Sequence, residues 1–157
     1  LAQTFEATAA LIAGTLLALG RHPQALASVQ ADPRLIGEAL AETIRWDPSV
    51  QNMRRFVGED AQVAGLPMRA GDRVILVTAA ASRDPAVNPD PESFRLERPS
   101  RRLFGFGDGA HACPADRLAR QIAGVAVGRL LQGGLDARRL PAMVAWRRSV
   151  FRIPLFA

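Results

Sequence analysis

A chain of 157 residues, 48% hydrophobic and 22% charged, has the composition of one folded globular domain or less, and an intrinsically disordered chain is excluded. All 20 basic side chains are arginine, against 15 acidic ones, for a net charge of +5; they are scattered without aromatic interleaving, which argues against a nucleic-acid partner. The single cysteine excludes an internal disulfide framework, and the longest apolar stretch, around residues 7–19, is too short for a membrane span, so a cytoplasmic location is expected.

Phe5, Ala9, Ile12, Leu16 and Leu19 recur at helical spacing with no capping residue before them. The chain is therefore expected to begin inside a helix at Leu1, as a fragment would. Gly20 stands where a C-cap glycine would end that helix. His22-Pro23 opens a second helix through about residues 28–30, and Asp32-Pro33 opens a third that reaches Trp46. Asp47-Pro48 closes it, because a residue before proline is pushed out of the helical region. Next, β-like pieces at 55–57, 62–64 and 73–77, divided by Gly58, Gly65 and the Ala70-Gly71-Asp72 turn, predict a small antiparallel sheet. Residues 83–103 read as a long aperiodic meander, and a structureless stretch of that length usually has a functional reason. A glycine-rich loop at 104–115 leads into a last helix over about 114–131, with Leu118, Ile122, Val125 and Leu130 on one face. Gly133-Gly134 stops it, and Val144–Trp146 with 150–156 forms a closing hairpin. The fold class expected is mainly α with small β-sheets.

Chemistry concentrates in Phe106-Gly107-Asp108-Gly109-Ala110-His111-Ala112-Cys113-Pro114-Ala115. Gly105, Gly107 and Gly109 let backbone approach a flat, bulky group where a Cβ would clash. Cys113 stands just ahead of a helix, where free amides and the positive end of the dipole favour a thiolate, a strong electron donor to a metal. A lone cysteine is more often a small buried hydrophobe, and it is the spacing around this one that favours a ligand. A Cys/His hydrolase is a poor reading, since His111 and Cys113 are two residues apart and His22 belongs to a distant loop.

The stretch resembles the haem loop of the cytochrome P-450 family, F-G-x-G-x-H-x-C-x-G, at every fixed position but the last, where Ala115 replaces glycine. The resemblance runs through the whole chain in order. Thr4-Phe5-Glu6-Ala7-Thr8 falls where the family carries A-G-x-[DE]-T: Gln3 and Thr4 replace the small pair, Glu6 matches the acid, and Ala7 stands at the threonine position. Glu42-Thr43-Ile44-Arg45 is similar to E-x-x-R, and its spacing puts Glu42 and Arg45 on one helical face. Arg83-Asp84-Pro85 resembles part of N-R-D-P. Pro91-Glu92-Ser93-Phe94 is similar to P-x-R-F with Ser93 departing, which makes Arg98 the candidate third member of a structural clamp.

The resemblance implies a partial cytochrome P-450 fold: residues 1–157 as the C-terminal haem-binding part, with the N-terminal part absent. It implies haem b as cofactor, with Cys113 the iron ligand. Arg55, with Arg54 its exposed neighbour, and His111 would hold the propionates, Phe106 would shield the sulfur, and Gly107 would shape the haem loop. The activity implied is monooxygenation of a small organic substrate, with electrons from a ferredoxin/reductase-type donor. Glu6 and Thr8 are the candidates for the proton relay, which is general-acid work through water. Ala7 and the missing pocket motivate an alternative, a catalytically silent remnant or scaffold.

Overall fold

Helix α1 (Ala2–Arg21) is the element around which the others pack, touching helices, the last 3-10 turn and the final strand. The computed structural model describes residues 2–142 and 144–156; Leu1 and the side chains of Ala2, Gln3 and Thr4 lie outside the described residues. Thr8, Ala10, Leu11 and every residue from Thr15 to Leu19 are buried, as befits a helix enclosed on most sides. The helix runs past Gly20, which is therefore not its cap. A Cβ at Gly20 would overlap the Ala137 carbonyl, so this glycine lets α1 lie against the 3-10 turn at Ala137–Ala142.

His22 is the N-cap residue of α2 (Pro23–Ala31), with proline in its first turn. Asp32 then accepts the Arg34 N–H at 3.0 Å and caps a 3-10 turn, Pro33–Leu35, before α3 (Ile36–Trp46) begins. The single helix expected from Asp32 is thus two pieces, ending at Asp47 as foreseen. The expected single sheet is two separate antiparallel pairs. Strand β1 (Met53–Phe56) pairs with β4 (Arg73–Leu76), Met53 opposite Leu76. Between them β2 (Ala61–Val63) pairs with β3 (Leu66–Met68) across Ala64 and Gly65, both at positive φ. Pro67 hid β3 from the sequence reading; in a two-stranded pair every strand is an edge, where proline is tolerated.

One turn of helix, α4 (Thr78–Ala81), precedes the meander, and α5 (Asp116–Gln132) follows the glycine-rich loop. The apolar face expected of α5 is not its buried one. Leu118, Ile122, Val125 and Leu130 are exposed, while Ala119, Ala123 and Val127 are buried. The small stripe faces inward because α5 lies close to α3: a Cβ on Gly128 would stand 3.2 Å from Ile36 Cδ1, and one on Gly124 3.5 Å from Leu40 Cδ1. The tail closes as an antiparallel pair, β5 (Val144–Trp146) with β6 (Pro154–Phe156). No helix among the described residues is long and apolar enough to cross a membrane.

The core falls into two apolar clusters. One joins Leu16, Leu17 and Leu19 of α1 to Leu26, Val29, Val127 and Leu140. The other joins Leu11, Leu40, Ile44 and Ala123, and Leu103 and Phe106 pack against it. That second cluster fixes the glycine-rich loop to α1, α3 and α5.

Residues 83–103 hold no regular element; buried charge orders them instead. Glu42 and Arg45 are both 0% exposed. Glu42 Oε1 accepts from Arg45 Nη2 (2.8 Å), Arg98 Nε (2.8 Å) and the Arg95 N–H (2.9 Å), and Oε2 accepts from Arg45 Nε (3.0 Å) and Arg101 Nε (2.9 Å). Arg45 also donates to the carbonyls of Pro91 (2.8 Å) and Ser93 (2.9 Å). Arg98 therefore sits where a third clamp member was expected, and Arg101 is a fourth. Burial alone pushes the Glu42 carboxyl up, but the hydrogen bonds from Arg45, Arg95 and Arg98 outweigh it and hold it below the usual carboxylate range. Beside this network His22 stacks on Phe94 (4.7 Å) and meets the Trp46 ring edge-on (5.3 Å). Its Nε2 is buried without a partner, and burial, helped by Arg21, lowers its basicity.

Candidate functional site

The loop that carries Cys113 is shaped by its own backbone. The Gly107 N–H donates to the Phe104 carbonyl (2.9 Å) and the Cys113 N–H to the Phe106 carbonyl (2.8 Å). Gly107 (φ 76°) and Gly109 (φ 62°) adopt left-handed conformations that side chains resist. Asp108 accepts the Gly109 N–H at 2.9 Å and caps the turn Gly109–His111. Gly105 serves packing instead, since a Cβ there would come within 2.9 Å of Ile44 Cγ2. Helix α5 begins at Asp116, so Cys113 precedes its first turn, and the sulfur is free and half-buried.

Cys113 opens onto a cavity of about 470 Å³. Phe106, His111 and Ala115 line it from the loop, Ala7, Thr8 and Leu11 from α1, and Ile44 and Pro48 to Val50 from α3 and the turn after it. Met53, Arg54 and Arg55 line it from β1, and Phe151 from the tail. A neighbouring cavity of about 350 Å³ shares Met53, Arg55 and His111 and adds Gly107, Asp108 and Thr78. Arg55 and His111 thus stand where the two spaces meet.

Of the residues singled out from sequence, Cys113, His111, Arg55, Phe106 and Thr8 share the first cavity, and Gly107 lines the second. Thr8 is buried at its wall, next to Ala7. Glu6 lines neither cavity; it pairs with Arg147 at 3.1 Å. The Arg55 guanidinium donates to the Arg54 carbonyl (2.8 Å) and to Met53 Sδ (3.8 Å), and among the described residues no carboxylate pairs with it. It retains donors for an anion. The Arg120 guanidinium lies 5.5 Å from the Phe106 ring centroid and is held there by Asp116 at 2.5 and 2.8 Å.

A thiol on one wall, an apolar interior and two donor side chains at one edge suit a flat apolar group that carries a metal and acidic arms. No cluster of three or more His, Cys, Asp or Glu side chains could hold a metal among the described residues. A metal beside Cys113 would have to bring most of its own ligands, as a porphyrin does.

Residues 4–133 match the family model described as cytochrome P450. The chain belongs to the cytochrome P450 family. It is 36% identical over 127 residues to the biotin biosynthesis cytochrome P450 of Bacillus subtilis strain 168, covering 81% of this chain and 32% of that protein. It is 36% identical over 143 residues to the 20-oxo-5-O-mycaminosyltylactone 23-monooxygenase of Streptomyces fradiae, covering 91% of this chain and 33% of that protein. Among solved structures it is similar to P450BioI in complex with a hexadec-9Z-enoic acid-ligated acyl carrier protein, with a TM-score of 0.84 and 33% identity over 95% of this chain and 39% of that one. The chain spans about a third of the length of the P450 relatives it matches. The mainly helical fold with small sheets is a partial P450 fold, and membership implies a haem.

Sequence reading missed Met53, the turn at 48–50 and Phe151 as cavity walls. Nothing local marks them, and only the folding of the tail back onto the turn after α3 brings Phe151 to the site.

Proposed function

We propose that this chain forms the haem-thiolate part of a P450 monooxygenase, which inserts one oxygen atom of dioxygen into a small organic substrate. The observation that carries the reading is the cavity in which Cys113 occupies one wall while Arg55 and His111 stand together at another edge. In this reading haem b fills the cavity and supplies dioxygen activation. The Cys113 sulfur is the iron ligand, presented to the cavity by the turn that precedes α5. Arg55 and His111 neutralise the propionates, and Phe106 shields the sulfur from solvent. Gly107 keeps the loop close to the ring. Thr8 holds water at the cavity wall for proton delivery, and Glu6 belongs to the same relay when it is released from Arg147. A ferredoxin/reductase-type donor supplies two electrons, and the site is cytoplasmic.

A second reading, a catalytically silent P450-like scaffold, is favoured by Ala7 at the wall and by the engagement of Glu6 with Arg147. The two separate in an assay with isotopically heavy dioxygen, a ferredoxin and its reductase, and a panel of apolar organic molecules. Monooxygenation gives one heavy atom in a product and one in water. Electron consumption that ends wholly in peroxide across the panel supports the silent reading.

A further inference from the structure

The loop between β5 and β6 is fastened at both ends by charge. Arg147, directly after β5, pairs with Glu6 of α1 at 3.1 Å, and its N–H closes the loop on the Ile153 carbonyl at 3.1 Å. Near the other end, Arg152 Nε lies 2.6 and 2.8 Å from the two oxygens of Asp47, and the Arg152 N–H donates to the Ser49 carbonyl at 2.9 Å. The Arg152 guanidinium also covers the Trp146 ring, 3.7 Å from its centroid. Between the anchors Val150 is 80% exposed, so it gives the tip no apolar hold, while Phe151 lines the Cys113 cavity. Each anchor lands beside wall residues: Glu6 precedes Ala7 and Thr8, and Asp47 precedes Pro48 and Ser49. The loop is strapped across the place where α1 and the turn after α3 approach the cavity.

We propose that Arg147 is a positioning residue: its pair with Glu6 latches the C-terminal hairpin to α1 and, with the Arg152–Asp47 pair, holds Phe151 in the cavity wall. Glu6 accordingly spends the resting state in this latch. The meaning of the latch for catalysis rests on the reading of the cavity as the haem site; its existence does not. Among the described residues, removing the Arg147 end leaves the first half of the loop with only backbone closure and the Phe151 N–H to Ser149 Oγ bond (3.1 Å) inside the loop itself. Because the Glu6–Arg147 pair is half-exposed, its loss should change local opening by about two- to five-fold rather than unfold the protein.

The test uses the full chain with 4-fluorophenylalanine at position 151, read by fluorine NMR, together with amide hydrogen exchange over residues 147–153. Arg147→Ala and Glu6→Gln should each speed exchange in this loop by about two- to five-fold and move the fluorine resonance toward its solvent-exposed position, with α3 and α5 unaffected. Arg147→Lys and the reversed pair Glu6→Arg/Arg147→Glu should restore both signals. Unchanged exchange and resonance in both single variants, or a reversed pair that behaves like the singles, would overturn the latch. Haem uptake is read separately from the Soret band of the wild type. A missing band with intact latch behaviour supports the latch and counts only against the haem reading.

Discussion

Replacing Glu42 by glutamine should cost far more than a surface charge ever does. The carboxylate is fully buried and accepts five hydrogen bonds, four of them from three guanidinium groups. Glutamine keeps the volume but removes the charge and turns an NH2 toward donors. Arg45 is then left wholly buried, with Arg98 5% and Arg101 10% exposed at the side chain, and no anion between them except the Glu38 contact of Arg101. Breaking a buried ionic network by removing one partner costs about 3–5 kcal/mol, against about 5–15 kcal/mol of total stability for an ordinary domain. Urea unfolding followed by circular dichroism should show Glu42→Gln losing that amount, with the meander 83–103 exchanging amide hydrogens first. A double-mutant cycle with Arg98→Ala should show strong coupling. A Glu42→Gln protein within about 0.5 kcal/mol of wild type, the range of ordinary surface substitutions, would refute the clamp.

Acid should act most through two groups inside the protein, Glu42 and His22. The folded state holds Glu42 below its ordinary value near 4.5, so this stabilisation is present above that pH and is lost as pH falls through the folded value. His22, lowered from 6.5 by burial, is neutral in both states at high pH; as pH falls below 6.5 the unfolded chain takes the proton first and stability drops. Stability measured against pH should therefore decline in two stages, and His22→Phe should remove the upper one; a single acid transition unaffected by that change would contradict the assignment. Gly20→Ala should lower stability by about 1–3 kcal/mol, because overpacking forces α1 off the Ala137 carbonyl. Gly37→Ala, with nothing near its Cβ, should gain up to about 1 kcal/mol of helix propensity; equal melting temperatures for the two would show that Gly20 is not a contact glycine. Arg55→Ala and His111→Ala should each speed haem loss to an acceptor protein by about ten- to hundredfold, from a charge-assisted bond of about 1.5–3 kcal/mol; unchanged rates in both would remove the propionate roles.

What could be read from sequence and what could not divide by distance along the chain. The loop around Cys113 was legible because its cysteine, glycines and following helix lie within about a dozen residues, and each local choice has a local cause. Glu42 and Arg45 were legible because the resemblance to E-x-x-R picks them out and a spacing of three puts them on one helix face. Arg101 was not, because it meets Glu42 from 59 residues away with no pattern to announce it. In α5 both Leu118-Ile122-Val125 and Ala119-Ala123-Val127 satisfy the helical period. The smaller stripe is buried because α3 approaches too closely for leucine, and only the packing of Ile36 and Leu40 reveals that. Gly20 looked like a cap because glycine serves both purposes; the neighbour that decides, Ala137, is more than a hundred residues on. Glu6 was singled out by its resemblance to a proton-relay position, but its pairing with Arg147 was not legible, because that partner comes from the opposite end of the chain.

The central claim, that the Cys113 sulfur is the iron ligand in the cavity of α1, α3 and the glycine-rich loop, has one most direct measurement. The haem-loaded full-length protein is reduced, exposed to carbon monoxide, and its difference spectrum compared with that of Cys113→Ser. The wild type should show a thiolate-type carbonyl band and Cys113→Ser should lose it, since among the described residues Cys113 is the one cysteine that lines the cavity. A wild-type spectrum of the nitrogen-ligated kind, or a thiolate-type band that survives in Cys113→Ser, would contradict it.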